Sequence, residues 1–227
     1  MIFFTRIALG AGLLLASAVS AAKGSPETAS RIEELKRNIQ SISKANINRT
    51  DNYLEVRNEL QPLVNELLAL TPDRLEAEKL DDVAGAWRNL WSDQEFGPGV
   101  DASQVYQVVS KDGYYYNISR NVSPKGEFTN FLRGIYEDQG SYLKIEFTDN
   151  SVSPNFYEAG TPLVQLAKNF EAKMIPSQSI GGPIGVKGVL INSYVDDQLR
   201  IVTGNSSSST DLSLFVLERV TAVEASQ

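Results

Sequence analysis

Between Thr28 and about Leu70, apolar side chains recur three and four positions apart, the period of a helix with one buried face. Ile32, Leu35, Ile39 and Ile42 make one stripe; Tyr53, Val56, Leu60, Leu63, Val64 and Leu67 make a second. The polar stretch Asn46–Asp51 reads as the turn between them, with Asp51 placed to cap the second helix. Pro62 lies inside the second stripe and, lacking an amide hydrogen, is expected to kink or divide that helix. Thr71-Pro72 ends the segment, and a further short helix is expected over Arg74–Lys79. Neither seam lasts three heptads, so residues 23–79 read as a helical hairpin packed on its own domain rather than as half of a coiled coil.

After Gly85 the period changes to two. Strands are predicted at Trp87–Trp91, Gln104–Val109, Gly113–Ser119, Glu127–Tyr136, Ser141–Thr148, Gly185–Ile191, Gln198–Thr203 and Leu212–Val220. Turn signals separate most of them, among them Gly97-Pro98-Gly99, Lys111-Asp112-Gly113 and Asp138-Gln139-Gly140; Ser206–Ser209 reads as a low-complexity hairpin tip. The alternation is clearest in Ser141–Thr148, where Leu143, Ile145 and Phe147 share one face and Tyr142, Lys144 and Glu146 the other. One helical pattern interrupts the series, from Pro162 to about Met174, with Leu163, Leu166, Ala167 and Phe170 on one face. Eight antiparallel strands are enough to close a barrel that holds side chains or one small ligand. The fold class is therefore α+β, mainly β: a helical hairpin, then an antiparallel barrel of about eight strands (residues 80–227) with one inserted helix.

Residues 1–22 have a different character. Arg6 and the amino terminus precede the charge-free run Ile7–Val19, which is shorter than the roughly 20 residues of a membrane span. Small residues Ser20, Ala21 and Ala22 follow, the pattern of a cleaved signal peptide. The expected location is the periplasm or the secreted fluid, with a plastid or thylakoid reached through a secretory leader as the alternative. Loss of that leader removes one arginine and no acid, taking the net charge from −7 to −8.

Composition narrows the chemistry. The 227 residues include no cysteine and no histidine, which excludes disulfides, thiol nucleophiles, the Ser-His-Asp triad and thiolate or imidazole metal sites. With 28 acidic residues against 21 basic ones, the chain also lacks the charge of a nucleic-acid binder. No metal, cofactor or catalytic residue is expected. Membrane contact would have to be hydrophobic and nearly insensitive to salt.

Gly85-Ala86-Trp87 opens the first strand and resembles the lipocalin signature, in which the tryptophan plugs one barrel end beneath a late-strand arginine; Arg200 and Arg219 are both candidates. The wider block Leu80-Asp81, then Gly85-Ala86-Trp87-Arg88-Asn89-Leu90-Trp91-Ser92, resembles the G-x-W-x-L-x-Y-[ST] motif of the plastid lipid-associated protein (fibrillin) family. The stretch Tyr194-Val195-Asp196-Asp197-Gln198-Leu199-Arg200-Ile201, then Gly204, then Leu214-Phe215-Val216-Leu217-Glu218-Arg219, is similar to that family's terminal signature. Leu67–Pro72 stands where the family carries a helical N-L-x-L-x-P segment. Asn89, Trp91 and Thr203 depart from the family's usual residues. The resemblance implies a lipocalin-like barrel that holds or coats apolar molecules such as isoprenoids, carotenoids, quinones or fatty acids.

The candidate ligand contacts are Trp87, Tyr115, Leu143, Ile145, Phe147 and Arg200. In Tyr114-Tyr115-Tyr116 at least one ring should face inward. Arg200 has two readings: an ion pair with Asp196 or Asp197 closing the barrel end, or a polar handle for a ligand head group. The function that follows is non-catalytic binding of a lipid or apolar small molecule, with a membrane or lipid-droplet surface as a further hydrophobic partner and no nucleic acid. Two alternatives stay open. One is an isomerase or cyclase on the same barrel, marked by a buried carboxylate of raised pKa. The other is a structural protein that docks through its hairpin.

Overall fold

In the computed structural model, which describes residues 25–48, 51–71, 76–94, 96, 99–124, 126–155, 157–206 and 212–224, the chain begins with helix α1 (Pro26–Ala45). Ser25 caps it, its hydroxyl accepting from the Thr28 amide at 3.1 Å, and Pro26 occupies the first turn, where no intrahelical amide bond is lost. Helix α2 spans Tyr53–Leu70 and α3 spans Glu76–Val83. The signal-peptide reading of residues 1–22 lies outside the described residues, as do position 72 of the helix stop, positions 97–98 of the Gly97-Pro98-Gly99 turn and positions 207–209 of the hairpin tip.

Two expectations about α2 are corrected. The residue at its N-terminal boundary is Asn52, not Asp51, and Asn52 makes no side-chain cap bond. The helix also runs unbroken through Pro62. Pro62 is exposed, so the carbonyl it leaves unpaired can bond water, while Leu60, Val64 and Leu67 anchor the opposite face.

Eight strands close into an antiparallel barrel. They are β1 (Gly85–Ser92), β2 (Val100–Val109), β3 (Tyr114–Ser123), β4 (Gly126–Asp138), β5 (Tyr142–Ser153), β7 (Lys187–Val195), β8 (Leu199–Ser206) and β9 (Ser213–Val220). Each pairs with its chain neighbour, and β9 returns to pair with β1. A two-residue strand, β6 (Gln178–Ser179), adds to β5 beside β7. Helix α4 (Leu163–Glu171) and β6 both lie in the long connection from β5 to β7. The fold is thus mainly β, with four helices among the described residues.

The strands run longer than their apolar alternation suggests. Strand β5 continues past Thr148 to Ser153 because its register against β4 shifts between Arg133 and Gly134, and Asp149–Ser153 then pair with Thr129–Arg133. The polar run Asp149-Asn150-Ser151 carries no strand signal of its own; its backbone partners supply one.

Side chains sort into an inner and an outer set. Trp87, Val109, Tyr115, Leu143, Ile145, Val202, Phe215 and Leu217 pack inside the barrel. On the outer surface, Leu90, Trp91, Leu199, Ile201, Leu214 and Val216 meet Leu35 and Ile39 of α1 and Val56, Leu60, Val64 and Leu67 of α2. A bulge between Asn89 and Trp91 turns both Leu90 and Trp91 toward the hairpin. On the other flank, α4 covers Tyr106, Val108, Tyr116, Ile118 and Phe131 with Leu163, Leu166, Ala167 and Phe170. Phe131 and Phe170 stack at 4.5 Å. Arg133 fixes α4 with a fork of two bonds to Glu171, at 2.7 and 2.8 Å.

The hairpin is therefore part of the core of the barrel's outer layer, and Tyr53, expected in its buried stripe, is instead exposed. Leu60→Ala should lower stability by about 2–5 kcal/mol, the cost of emptying a sealed apolar site. Leu54→Ala, at a position 59% exposed, should change it by less than about 0.5 kcal/mol. Urea unfolding of the two variants checks both values.

Candidate ligand site in the barrel interior

One end of the barrel is sealed by a few side chains. Gly85 sits at φ 127°, and a Cβ added there would lie 2.9 Å from the Arg219 guanidinium. Only glycine meets both conditions. Arg219 lies opposite Trp87 across β1–β9, with its guanidinium carbon 4.1 Å from the indole centroid. Its Nη1 donates to the Ala84 carbonyl at 3.0 Å and its Nη2 to the Asp82 carbonyl, which ties the end of α3 across the opening. The Trp87 Nε1 donates to the Val83 carbonyl at 2.8 Å, so the ring is bound at its edge and covered on its face. Of the two lid candidates, Arg219 makes the closer contact; Arg200 stands 5.9 Å from the same ring.

Arg200 projects from β8 into the interior and is fully buried. Its Nε donates to Asn192 Oδ1 at 2.9 Å and its Nη1 to Gln107 Oε1 at 3.1 Å. Its Nη2 has no hydrogen-bond partner among the described residues. Burial pulls its pKa down to about 10, helped by the like charge of Arg219 and opposed by Tyr115, so it remains a cation at neutral pH. Tyr115 shares the interior and donates to Asn117 Oδ1 at 2.8 Å. Burial raises its pKa further above the usual phenol value, which keeps the hydroxyl protonated.

The expected ion pair between Arg200 and the Asp196-Asp197 turn is not made. Asp196 points instead to α1, 2.7 Å from Lys36 Nζ, and accepts from the Tyr194 hydroxyl and the Gln198 and Leu199 amides. Burial alone would raise the Asp196 pKa, but these four donors outweigh it and hold it below the usual range. Glu218 follows the same pattern: burial opposes, and Lys44 and Arg88 prevail on the barrel's outer wall. Local turn geometry explains the correction, since Asp196 can bond the amides two and three residues ahead while Arg200 points inward.

All six residues proposed from the sequence face the interior. Trp87, Tyr115, Leu143 and Ile145 belong to one buried cluster, and Phe147 packs against it with its ring 6.4 Å from that of Tyr115. Arg200 bonds to the cluster's polar side. Of the tyrosine triplet, Tyr115 points inward, while Tyr114 and Tyr116 lie in the layer under α4. The amides Gln107 and Asn192, which hold Arg200, belong to no motif in the sequence. Gln107 alternates with Tyr106 and Val108, so its inward position was readable from the period-two pattern of β2.

A concavity of about 230 Å³ lies outside the barrel, between α4 and strands β2–β3; Tyr114, Tyr116, Ala167 and Glu171 are among its walls. Among the described residues no group of three or more carboxylates is placed to hold a metal ion. Comparison with protein-family models, curated proteins and solved structures finds no match.

Two outcomes follow. Gly85→Ala must force a left-handed backbone onto alanine and displace Arg219, so it should cost about 1–3 kcal/mol in thermal unfolding. The acid limb of stability should depend on Asp196. A carboxylate whose folded pKa is depressed stabilises fully above its unfolded pKa, and that contribution is lost as pH falls through the folded value. Melting curves from pH 7 to pH 3 should therefore fall less steeply for Asp196→Asn than for the unaltered chain.

Proposed function

We propose that this protein is a non-catalytic carrier of apolar small molecules, held inside its eight-stranded barrel. The observation that carries this reading is the lining: apolar and aromatic side chains surround one fully buried arginine, at a barrel end sealed by Trp87, Arg219 and α3. Binding pockets for lipids combine those features, a large apolar wall and a few placed polar groups. The resemblance of residues 80–92 and 194–219 to the plastid lipid-associated proteins points the same way. Affinity would come mainly from apolar burial, at about 25 cal/mol per Å².

The far end of the barrel supports contact with a lipid surface. Val122 and Leu212 are exposed beside the strand ends there, and Ile180 and Ile184 are exposed on the segment that borders β5. Such residues would touch a membrane or a lipid droplet by hydrophobic contact. The hairpin-docking alternative gains less support, because both apolar stripes of the hairpin face the barrel. For the enzyme alternative, the carboxylates whose pKa moves, Glu66, Glu171, Asp196 and Glu218, all move down rather than up.

Delipidated protein titrated with a fluorescent polyene lipid should show saturable binding with a Kd in the micromolar range, about −8 kcal/mol. Introducing bulk into the interior, as in Val202→Trp, should abolish the signal while the circular dichroism of the barrel persists. Unsaturable, linear titration of the unaltered chain would count against the reading.

A further inference from the structure

We infer that the ligand carries a single carboxylate head group, seated on Arg200 at the sealed end of the barrel. The inference rests on the carrier reading and narrows it from apolar molecules in general to one chemical class, long-chain carboxylic acids.

The barrel interior holds an unanswered charge. Arg200 is 0% exposed, yet none of the ion pairs among the described residues includes it. Its two partners are the neutral amide oxygens of Asn192 and Gln107. The nearby charge that bears on it is Arg219, of the same sign, and the Tyr115 phenol stays neutral. A buried ion of this kind is costly unless something pairs with it. The other buried cations on this barrel are paired: Lys36 with Asp196, and Arg88 with Glu218. Arg200 is the exception, and it is the one that points inward.

The geometry specifies the missing group. A guanidinium presents its donors as a planar fork that suits a carboxylate. Asn192 and Gln107 take Nε and Nη1, which leaves the buried Nη2 without a hydrogen-bond partner among the described residues. A neutral quinone or carotenoid would leave the charge unbalanced, whereas one carboxylate cancels it. A phosphate or diphosphate would bring more negative charge than one arginine balances, and Arg219 is already committed to the Ala84 and Asp82 carbonyls. From Arg200 the apolar residues Leu143, Ile145, Phe147, Leu190 and Phe215 offer a wall for the chain.

The test compares acid and ester on the delipidated full chain. cis-Parinaric acid and its methyl ester differ only in the head group, so their Kd ratio isolates it. The acid should bind at least about tenfold tighter, which corresponds to about 1.4 kcal/mol. Arg200→Gln should bring the acid down to the ester's affinity and leave the ester unchanged, while Arg200→Lys should keep a reduced preference. Should the Gln variant not fold, the ratio in the unaltered protein decides alone. Equal binding of acid and ester would overturn the carboxylate assignment and leave the carrier reading standing. Binding of neither would overturn the carrier reading itself.

Discussion

The pairing of β9 with β1 is the constraint on which the rest of the structure depends. It turns a nine-stranded sheet into a ring of eight with one short extra strand, and it removes the open edges that a sheet would present. It also sets Trp87 opposite Arg219 and so builds the seal from two residues far apart in sequence. The same two strands have apolar side chains on both faces, because their inner residues fill the barrel and their outer ones face the hairpin. Closure therefore calls for the hairpin: without α1 and α2, a broad apolar wall including Leu90, Trp91 and Val216 would face water.

Charges are distributed by layer. Outside, Lys36–Asp196, Arg88–Glu218, Arg57–Asp93 and Arg133–Glu171 join helices or neighbouring strands, each between opposite charges. They fix how α1, α2 and α4 sit on the barrel more than they add to stability, since such pairs trade desolvation against attraction. Inside, Arg200 lies among amides and aromatic rings and makes no ion pair among the described residues. A chain selected only for packing would gain by replacing that arginine with an apolar residue of similar volume. Under the proposed carrier function, a ligand that pairs with it would offset that cost.

Much of this was legible in the sequence, and what was not has identifiable causes. The period of 3.6 gave both hairpin helices, and the period of two placed all eight barrel strands, because each depends on one face being buried against a wall that the chain itself supplies. Strand ends were read short where polar residues such as Asp149 and Asn150 pair only through their backbone. The two-residue β6 has no side-chain pattern to read. Alternation put Leu143, Ile145 and Phe147 on one face, whereas Arg200, flanked by apolar Leu199 and Ile201, was left with two readings because both faces of β8 are buried. What stayed hidden was the partner of Arg200, since the adjacent Asp196 is drawn away by Lys36, which is 160 positions distant in the chain. Long-range competition for a carboxylate leaves no local trace.

The position of Arg200 along its strand gives the interior a direction. Arg200 follows Leu199, the first residue of β8, and the β7–β8 turn before it lies at the same end as Gly85, Trp87 and α3. The charge thus sits at the sealed end, and Val122 and Leu212 are exposed at the opposite end. For the amphiphile proposed above, this polarity sets one orientation, with the head against Arg200 and the chain toward the opposite end. The reverse orientation would bury the chain against a guanidinium and place the head among exposed valine and leucine. Both contacts are unfavourable, so under the carrier proposal the orientation of the amphiphile follows from the one buried cation that faces inward, Arg200.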